Sequence, residues 1–217
     1  MKTAIINAVE KNKIIAIVRG VDENKLIPLV QSLYDGGIRL VEVTFSANGK
    51  VYDQKTAEMI NALVERFKGK MYVGAGTVLT DKQVELTYRA GGQFIISPDV
   101  SESVIKKTVE LGMVSMPGAL TPTEIRTAVR FGADFVKLFP IANLGAGYVK
   151  AIRAPLSNVK MLAVGGIHDG NMQEFYKAGV CGFGIGTNIT DKKMIENGDF
   201  NGIKELAEKY VKICESL

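Results

Sequence analysis

Two short apolar runs in the sequence each contain a single charged residue. Lys137 lies in VKLF at 136–139, and Glu42 lies in LVEVTF at 40–45. A lysine with its ordinary pKa of ~10.4 is neutral only about once in 2,500 at pH 7, but removal from water lowers that pKa and frees the amine to attack a carbonyl. A carboxyl group in an apolar place can hold and transfer a proton near neutral pH. Lys137 is therefore a candidate Schiff-base nucleophile and Glu42 a candidate general acid and base.

A purely structural interpretation of the same two residues stays open. Lys137 could extend its aliphatic stem along apolar surface and bring its ammonium group to solvent. Alternatively, Lys137 and Glu42 could neutralise each other as a buried ion pair, which would leave neither group available for catalysis.

Other residues that could bind an anion follow the apolar runs. Arg19 ends the first run, and its planar guanidinium suits a carboxylate or a phosphate. Thr77 follows two glycines, whose small size would let a ligand approach the backbone. Glycine-rich loops at 164–167 and 184–188 could surround a phosphate with N–H groups, some from a short helix predicted to start near Thr187. The glycines could instead serve only the packing of the fold.

The apolar runs that must position these residues are spaced for a repeated β–α unit. After a helix predicted near residues 2–11, the predicted strands are residues 14–19, 40–45, 72–76, 94–97, 113–117, 135–139, 161–165 and 182–186. The segments between them carry apolar residues three and four apart, which is typical of helices with one buried face. Continuous apolar strands indicate a parallel sheet covered on both sides.

Eight such units over residues 1–217 predict a single-domain α/β protein, a (β/α)₈ barrel with a short N-terminal helix. An open doubly wound sheet is the alternative. It is disfavoured because the turn after the first strand lacks the G-x-G-x-x-G pattern of dinucleotide-binding folds. In a barrel the active site lies at the carboxyl ends of the strands, where Arg19 and Thr77 are expected.

The composition argues against several other classes of protein. The 27 basic and 23 acidic side chains are interspersed and give a net charge of only +4, so no nucleic-acid partner is expected. No apolar run approaches the ~18 residues of a membrane span, and the first residues do not resemble a signal peptide. Cys181 and Cys214 show no disulfide pattern, which favours the cytoplasm. The single histidine, His168, is predicted to lie in a loop, and no metal or cofactor is expected.

The order of these motifs resembles that of the 2-keto-3-deoxy-6-phosphogluconate and 4-hydroxy-2-oxoglutarate (KDPG/KHG) aldolase family over nearly the whole chain. The motifs are IVR at 17–19, VEVT at 41–44, VGAGTV at 73–78, ISP at 96–98, MPG at 116–118, VKLFP at 136–140 and the two glycine loops. The resemblance implies a class I aldolase on a (β/α)₈ barrel, without a cofactor and generally trimeric.

The resemblance also implies roles for individual residues. Lys137 would form the Schiff base and Glu42 would be the general acid and base, while Thr77 and Arg19 would hold the pyruvate carboxylate. The residues matching the phosphate site and the wall of the active site are Gly165, Gly166, Gly186, Thr187, Pro117 and Val164.

Two differences from many gluconate-type members leave the identity of the substrate open, and the second of them concerns the configuration at carbon 4. Ser46 stands where those members carry an arginine, whose contact Arg19 could replace. Val164 stands where they carry a threonine, and members that resemble the galactonate-acting branch carry valine there.

The expected reaction is cleavage of the 6-phosphorylated keto acid, gluco or galacto, to pyruvate and glyceraldehyde 3-phosphate. 4-Hydroxy-2-oxoglutarate, which would give pyruvate and glyoxylate, is a further candidate substrate. Two other functions stay open: a metal-free sugar-phosphate isomerase or epimerase, which would need no imine, and a non-catalytic sugar-phosphate binding protein.

Overall fold

The sheet of this protein is wound into a parallel barrel, as the sequence predicts. A computed structural model describes residues 2–46 and 51–217. In the described residues the strands are β1 Ile14–Val18, β2 Leu40–Thr44, β3 Tyr72–Gly76, β4 Phe94–Ile96, β5 Val114–Met116, β6 Gly118–Ala119, β7 Val136–Leu138, β8 Met161–Val164 and β9 Gly182–Ile185. Their order in the sheet is β5-β4-β3-β2-β1-β9-β8-β7-β6, and every pairing between neighbours is parallel.

The fifth barrel strand is split into β5 and β6, which is why the described residues contain nine strands where eight were predicted. The break falls at Pro117, which has no N–H to donate to a ladder. On one side β5 pairs with β4, while on the other the carbonyls of Ser115 and Pro117 accept hydrogen bonds from the N–H groups of Phe135 and Lys137, at 3.2 and 2.9 Å. This split strand completes the barrel.

Helices cover the outside of the barrel and follow the strands in alternation. The helices in the described residues are α1 Lys2–Asn12, α2 Glu23–Asp35, α3 Asp53–Arg66, α4 Asp81–Arg89, α5 Glu102–Glu110, α6 Pro122–Phe131, α7 Gly145–Arg153, α8 Met172–Lys177, α9 Lys192–Asn197 and α10 Phe200–Glu215. None of these described helices is long and apolar enough to cross a membrane. The prediction that residues 1–217 form one domain stays a prediction.

Alternate residues of each strand face the helices and the barrel interior. Val41 and Val43 of β2 pack in the apolar layer beneath the helices, whereas Leu40 belongs to the cluster that fills the barrel. Because side chains alternate along a strand, Glu42 shares the interior face with Leu40. The two-residue period therefore determines which charged residues enter the barrel.

The amino-terminal end of the barrel is closed by α1, which confirms the predicted first helix. Ile5 and Val9 of α1 are fully buried in the interior cluster, which also contains Phe94, Val114 and Phe135. An ion pair of 3.0 Å between Lys2 and Asp134 also ties α1 to the segment before β7. Large apolar side chains fill this end of the barrel.

Candidate active site

Lys137 projects from β7 into the barrel interior. Its neighbours Val136 and Leu138 are buried against the helices, so the lysine faces the opposite way. The side chain is 6% exposed, and its Nζ atom lies 4.5 Å from the centroid of the Phe139 ring. The structure thus places an amine inside an apolar wall, without the solvent exposure of the snorkelling interpretation.

Burial lowers the pKa of Lys137 below its ordinary value. Water that would solvate the ammonium form is excluded, and this effect outweighs the opposing attraction of the Glu42 carboxyl group. Arg19 contributes a smaller lowering because it is a second positive charge. The Phe139 ring would stabilise a cation over its face, yet the shift in the pKa of Lys137 remains downward because desolvation is the larger effect. The neutral amine is the nucleophilic form.

Glu42 is the interior carboxyl group, projecting from β2. It is 2% exposed, and among the described residues its Oε2 atom has no hydrogen-bond partner. Burial raises the pKa of Glu42, and the positive charges of Lys137 and Arg19 oppose that rise only in part. An Oε2 atom without a partner is unlike a directly hydrogen-bonded ion pair, and it leaves a site from which a proton can be given or taken.

Gly76 makes room for this carboxyl group. A Cβ atom at position 76 would lie 2.4 Å from Oε1 of Glu42, and one at Gly74 would lie 2.3 Å from the ring of Phe94. The two glycines of β3 were predicted to let a ligand approach the backbone. Instead, the space beside them is filled by side chains of the protein, one of which is the catalytic candidate.

A cavity of about 660 Å³ opens at the carboxyl end of the barrel, above Lys137. Its wall includes Arg19, both glycine loops and Val164. A narrow cleft continues from the cavity into the barrel. Lys137 and Val164 line this cleft as well as the cavity, and Glu42 lines the cleft. The amine therefore lies between a chamber large enough for a small ligand and the buried carboxyl group.

The glycine loops form the rim of this cavity on one side. Gly165 and Gly166 have φ values of 90° and 77°, which glycine adopts readily, and a Cβ at Gly166 would lie 2.5 Å from that of Ala142. The prediction that a short helix starts near Thr187, on the other loop, is wrong. Residues 187–189 form a turn, and α9 begins only at Lys192. The N–H groups of Ile189 and Thr190 instead bond the Gly186 carbonyl, each at 2.9 Å.

The residues predicted from the sequence do not all reach the cavity wall. Arg19, Lys137 and Val164 line it, as do the predicted residues of the rim, Gly165, Gly166, Gly186 and Thr187. Thr77 is half-buried after β3 with a φ of 55°, and Pro117 is buried between β5 and β6. Neither Thr77 nor Pro117 lines the cavity or the cleft, so their predicted contacts with substrate stay predictions.

Comparison with known proteins agrees with this arrangement. The family model described as KDPG and KHG aldolase matches residues 5–206. The chain belongs to this aldolase family. The 2-dehydro-3-deoxy-6-phosphogalactonate aldolase of Escherichia coli strain K12 is 36% identical over 159 residues, which are 73% of this chain and 75% of that protein. Members of the family are carbon–carbon lyases.

Two further members extend the similarity to nearly the whole chain. The 2-dehydro-3-deoxy-phosphogluconate aldolase of Treponema pallidum strain Nichols is 32% identical over 213 residues, 96% of this chain and 97% of that protein. The crystal structure of the Legionella pneumophila KDPG aldolase, with pyruvate captured as a covalent carbinolamine, has a TM-score of 0.84 at 26% identity. It covers 94% of this chain and 96% of its own. The sequence resemblance to the aldolase family is thus confirmed.

Some features of this aldolase site were not recognised in the sequence. Phe139 lies two residues beyond Lys137, and the period of a strand would have placed its ring beside the amine. Asn188 reaches across to the other glycine loop, and no pattern in the sequence signals that contact.

His168 lies in the loop after β8, as predicted, where its Nδ1 atom accepts a hydrogen bond from Gly170 N–H. Within residues 2–46 and 51–217, no three His, Cys, Asp or Glu side chains are grouped to hold a metal ion.

Proposed function

We propose that this aldolase cleaves a 2-keto-3-deoxy-6-phosphorylated sugar acid to pyruvate and glyceraldehyde 3-phosphate through a Schiff base on Lys137. The observation that carries the proposal is a buried amine with a lowered pKa, which shares a cleft with a buried carboxyl group of raised pKa. Near neutral pH these shifts favour the uncharged form of each group, which is the pairing that carbonyl attack requires.

Lys137 and Glu42 can supply and accept the protons that each step of the reaction requires. Nζ of Lys137 attacks carbon 2, and a proton passes from the nitrogen to the oxygen to give the carbinolamine. The Glu42 carboxyl group then donates its proton to the carbon 2 hydroxyl, which leaves as water. The resulting carboxylate and protonated imine are a charge pair formed inside the barrel. Glu42 then takes the proton of the carbon 4 hydroxyl while the bond between carbons 3 and 4 breaks and its electrons pass to the imine. Glyceraldehyde 3-phosphate leaves, and Glu42 gives the proton to carbon 3 of the enamine. Water then adds to carbon 2 of the protonated imine while Glu42 takes one of its protons, and the carbinolamine releases pyruvate and the neutral amine.

The rim of the cavity is proposed to bind the phosphate. N–H groups of the glycine loops would surround the anion, and Arg19 would attract the carboxylate of the pyruvate portion, together with Thr77. Phe139 would lie against the protonated imine as it lies against Nζ in this structure, favouring the cationic intermediate over its face. Pro117 would support Lys137 through the hydrogen bond between its carbonyl and the lysine N–H.

Borohydride reduction in the presence of pyruvate tests the central step. The Schiff base would be reduced to a stable amine, and peptide mass analysis is expected to find the added mass on Lys137. Lys160, another lysine near an aromatic ring but 41% exposed, serves as an internal comparison within the same digest. An adduct on a different lysine, or none, contradicts the proposal.

A coupled assay of pyruvate release with the gluco and galacto epimers will determine which configuration at carbon 4 the protein prefers. Val164 presents no hydroxyl to the cavity, so a hydrogen bond from this position cannot select one epimer. 4-Hydroxy-2-oxoglutarate belongs in the same assay as the unphosphorylated substrate. The predicted homotrimer and the cytoplasmic location stay predictions.

A further inference from the structure

In the loop after β8 the backbone carbonyl groups accept hydrogen bonds, whereas some of the backbone N–H groups donate none. Four successive carbonyls, those of residues 164–167, accept hydrogen bonds from other parts of the protein, at distances between 2.7 and 3.1 Å. Within the described residues, no hydrogen bond is donated by the N–H groups of Gly166 and Ile167. When the carbonyl of a peptide unit is fixed, its N–H group must point the other way. The partners of the Gly165 and Gly166 carbonyls therefore determine where the N–H groups of Gly166 and Ile167 point. The Ile167 carbonyl shares its peptide unit with the N–H of His168, so its partner fixes the position of the loop rather than the direction of a free N–H group.

Two of the four partners are backbone N–H groups, and the other two are asparagine side chains. Ile141 and Ala142 bond the carbonyls of Val164 and Gly165, each at 3.1 Å. The Asn171 side chain donates to the Gly166 carbonyl at 3.0 Å. Its Oδ1 atom also accepts from the N–H of His168 at 2.8 Å, so one side chain spans both ends of the turn.

Asn188 joins the two glycine loops to each other. It belongs to the turn after β9, and its Nδ2 atom donates to the Ile167 carbonyl at 2.7 Å. Thr190, two residues further on, bonds the Ile17 carbonyl of β1 at 3.1 Å, so this turn is held on both sides. Gly166 has a positive φ, and glycine backbone is costly to order in one conformation.

We infer that Asn188 and Asn171 are positioning residues that hold the N–H groups of the rim in the arrangement needed to bind the phosphate of the substrate. Neither side chain need touch substrate to have this effect. The inference rests on the proposed function, because it concerns the same phosphate. It predicts that both residues act on the affinity for the phosphorylated ligand and leave Schiff-base formation at Lys137 unchanged.

Kinetics of Asn188→Ala and Asn171→Ala test the inference, with three measurements on each protein. These are the KM for the phosphorylated keto acid, the inhibition constant of inorganic phosphate, and the pyruvate concentration for half-maximal borohydride trapping. One neutral hydrogen bond predicts a rise of about three- to tenfold in the first two for Asn188→Ala, with trapping unchanged. A larger rise is expected for Asn171→Ala because it removes two hydrogen bonds.

Two variants provide controls. Asn188→Gln keeps an amide donor that can reach the Ile167 carbonyl, so it is expected to recover most of the lost phosphate affinity. Asn201→Ala removes an asparagine whose amide bonds Glu205 on the exposed face of α10, and it is expected to match the wild-type protein. Melting temperatures of all variants show whether each is folded.

An unchanged KM and phosphate inhibition constant in both alanine variants would overturn the inference. A parallel loss of pyruvate trapping would overturn it too, because the asparagines would then support the fold rather than the rim. The wild-type protein separates the two proposals. If it traps pyruvate on Lys137 but is not inhibited by phosphate, the rim does not bind phosphate and this inference fails alone. If it does not trap pyruvate, the proposed Schiff base fails.

Discussion

Two regions of the site differ in how they control charge: the interior wall, formed by Lys137 and Glu42, and the rim, formed by the two glycine loops. On the wall, two buried side chains, Lys137 and Glu42, each face an apolar environment that disfavours their charged forms. On the rim, backbone N–H groups and small residues lie at the surface, where Gly166 and Thr187 are exposed to solvent. The wall depends on individual side chains, whereas the rim depends on the path of the backbone.

This difference explains how one cavity can serve both chemistry and binding. A nucleophile needs a group whose protonation state can be shifted, and burial supplies that shift only inside the barrel. A phosphate keeps its charge throughout the reaction, so it needs several fixed dipoles that remain near solvent. Single substitutions are therefore expected to have large effects on the wall and small effects on the rim.

The largest effect is expected at the wall, for Lys137→Met. Methionine keeps the apolar volume but has no amine, so pyruvate release should fall by at least about 10⁴-fold, as when other enzymes lose a nucleophile. A coupled assay of pyruvate release measures it. Lys150→Met, an exposed lysine on α7, is the matched control and should retain wild-type activity. Substantial pyruvate release by Lys137→Met would mean that cleavage does not proceed through an imine on Lys137.

Gly76→Ala tests whether the position of the Glu42 carboxyl group matters. The added Cβ would fall 2.4 Å from Oε1 of Glu42 and must displace it, so kcat should drop by about 10²-fold or more, the usual contribution of general acid–base catalysis. Trapping of pyruvate should slow as well, because loss of water from the carbinolamine needs the same proton. At Gly147 of α7 an added Cβ meets nothing within 4 Å, so Gly147→Ala is the control. Equal kcat values in the two variants would mean that Glu42 is not the proton carrier.

A smaller effect is expected on the rim, for Thr187→Val. Removal of one hydroxyl from a surface of many N–H groups should raise the KM for the phosphorylated substrate about fivefold, with kcat nearly unchanged. The KM for 4-hydroxy-2-oxoglutarate should not change, because that substrate carries no phosphate. A large decrease in kcat would break the distinction between wall and rim.

The stability of the two wall variants should depend on pH in opposite directions. The lowered pKa of Lys137 makes its burial most costly at low pH, where the unfolded chain holds the proton, and this cost disappears as pH rises towards 10.5. The raised pKa of Glu42 makes its burial destabilising only above about pH 4.5, where the unfolded chain has lost the proton. The melting temperature of Lys137→Met relative to wild type should therefore increase as pH falls, and that of Glu42→Gln should increase as pH rises.

Melting temperatures measured between pH 5 and pH 9 check these slopes. Each kcal/mol corresponds to roughly 2–4 °C for a protein of this size, so the expected differences are a few degrees. Parallel slopes for the two variants would mean that burial does not shift the two pKa values in opposite directions.

The sequence alone determined the barrel and the two charged residues of its interior. A two-residue period in LVEVTF and VKLF assigns Glu42 and Lys137 to the face opposite Val43 and Leu138, and repeated β–α units leave few ways to arrange such strands. The family motifs added the expected roles of these residues. Pro117 also carried a signal, since a residue without an N–H predicts the break that separates β5 from β6.

Only the tertiary structure decided how these residues are surrounded. Three features depend on residues far apart in the chain: Gly76 leaves space for a carboxyl group, Asn188 joins one glycine loop to the other, and Thr77 does not line the cavity. Local sequence fixes the direction of a side chain within its own strand. The closure of the barrel determines which other strand it meets, and so sets both its neighbours and its pKa.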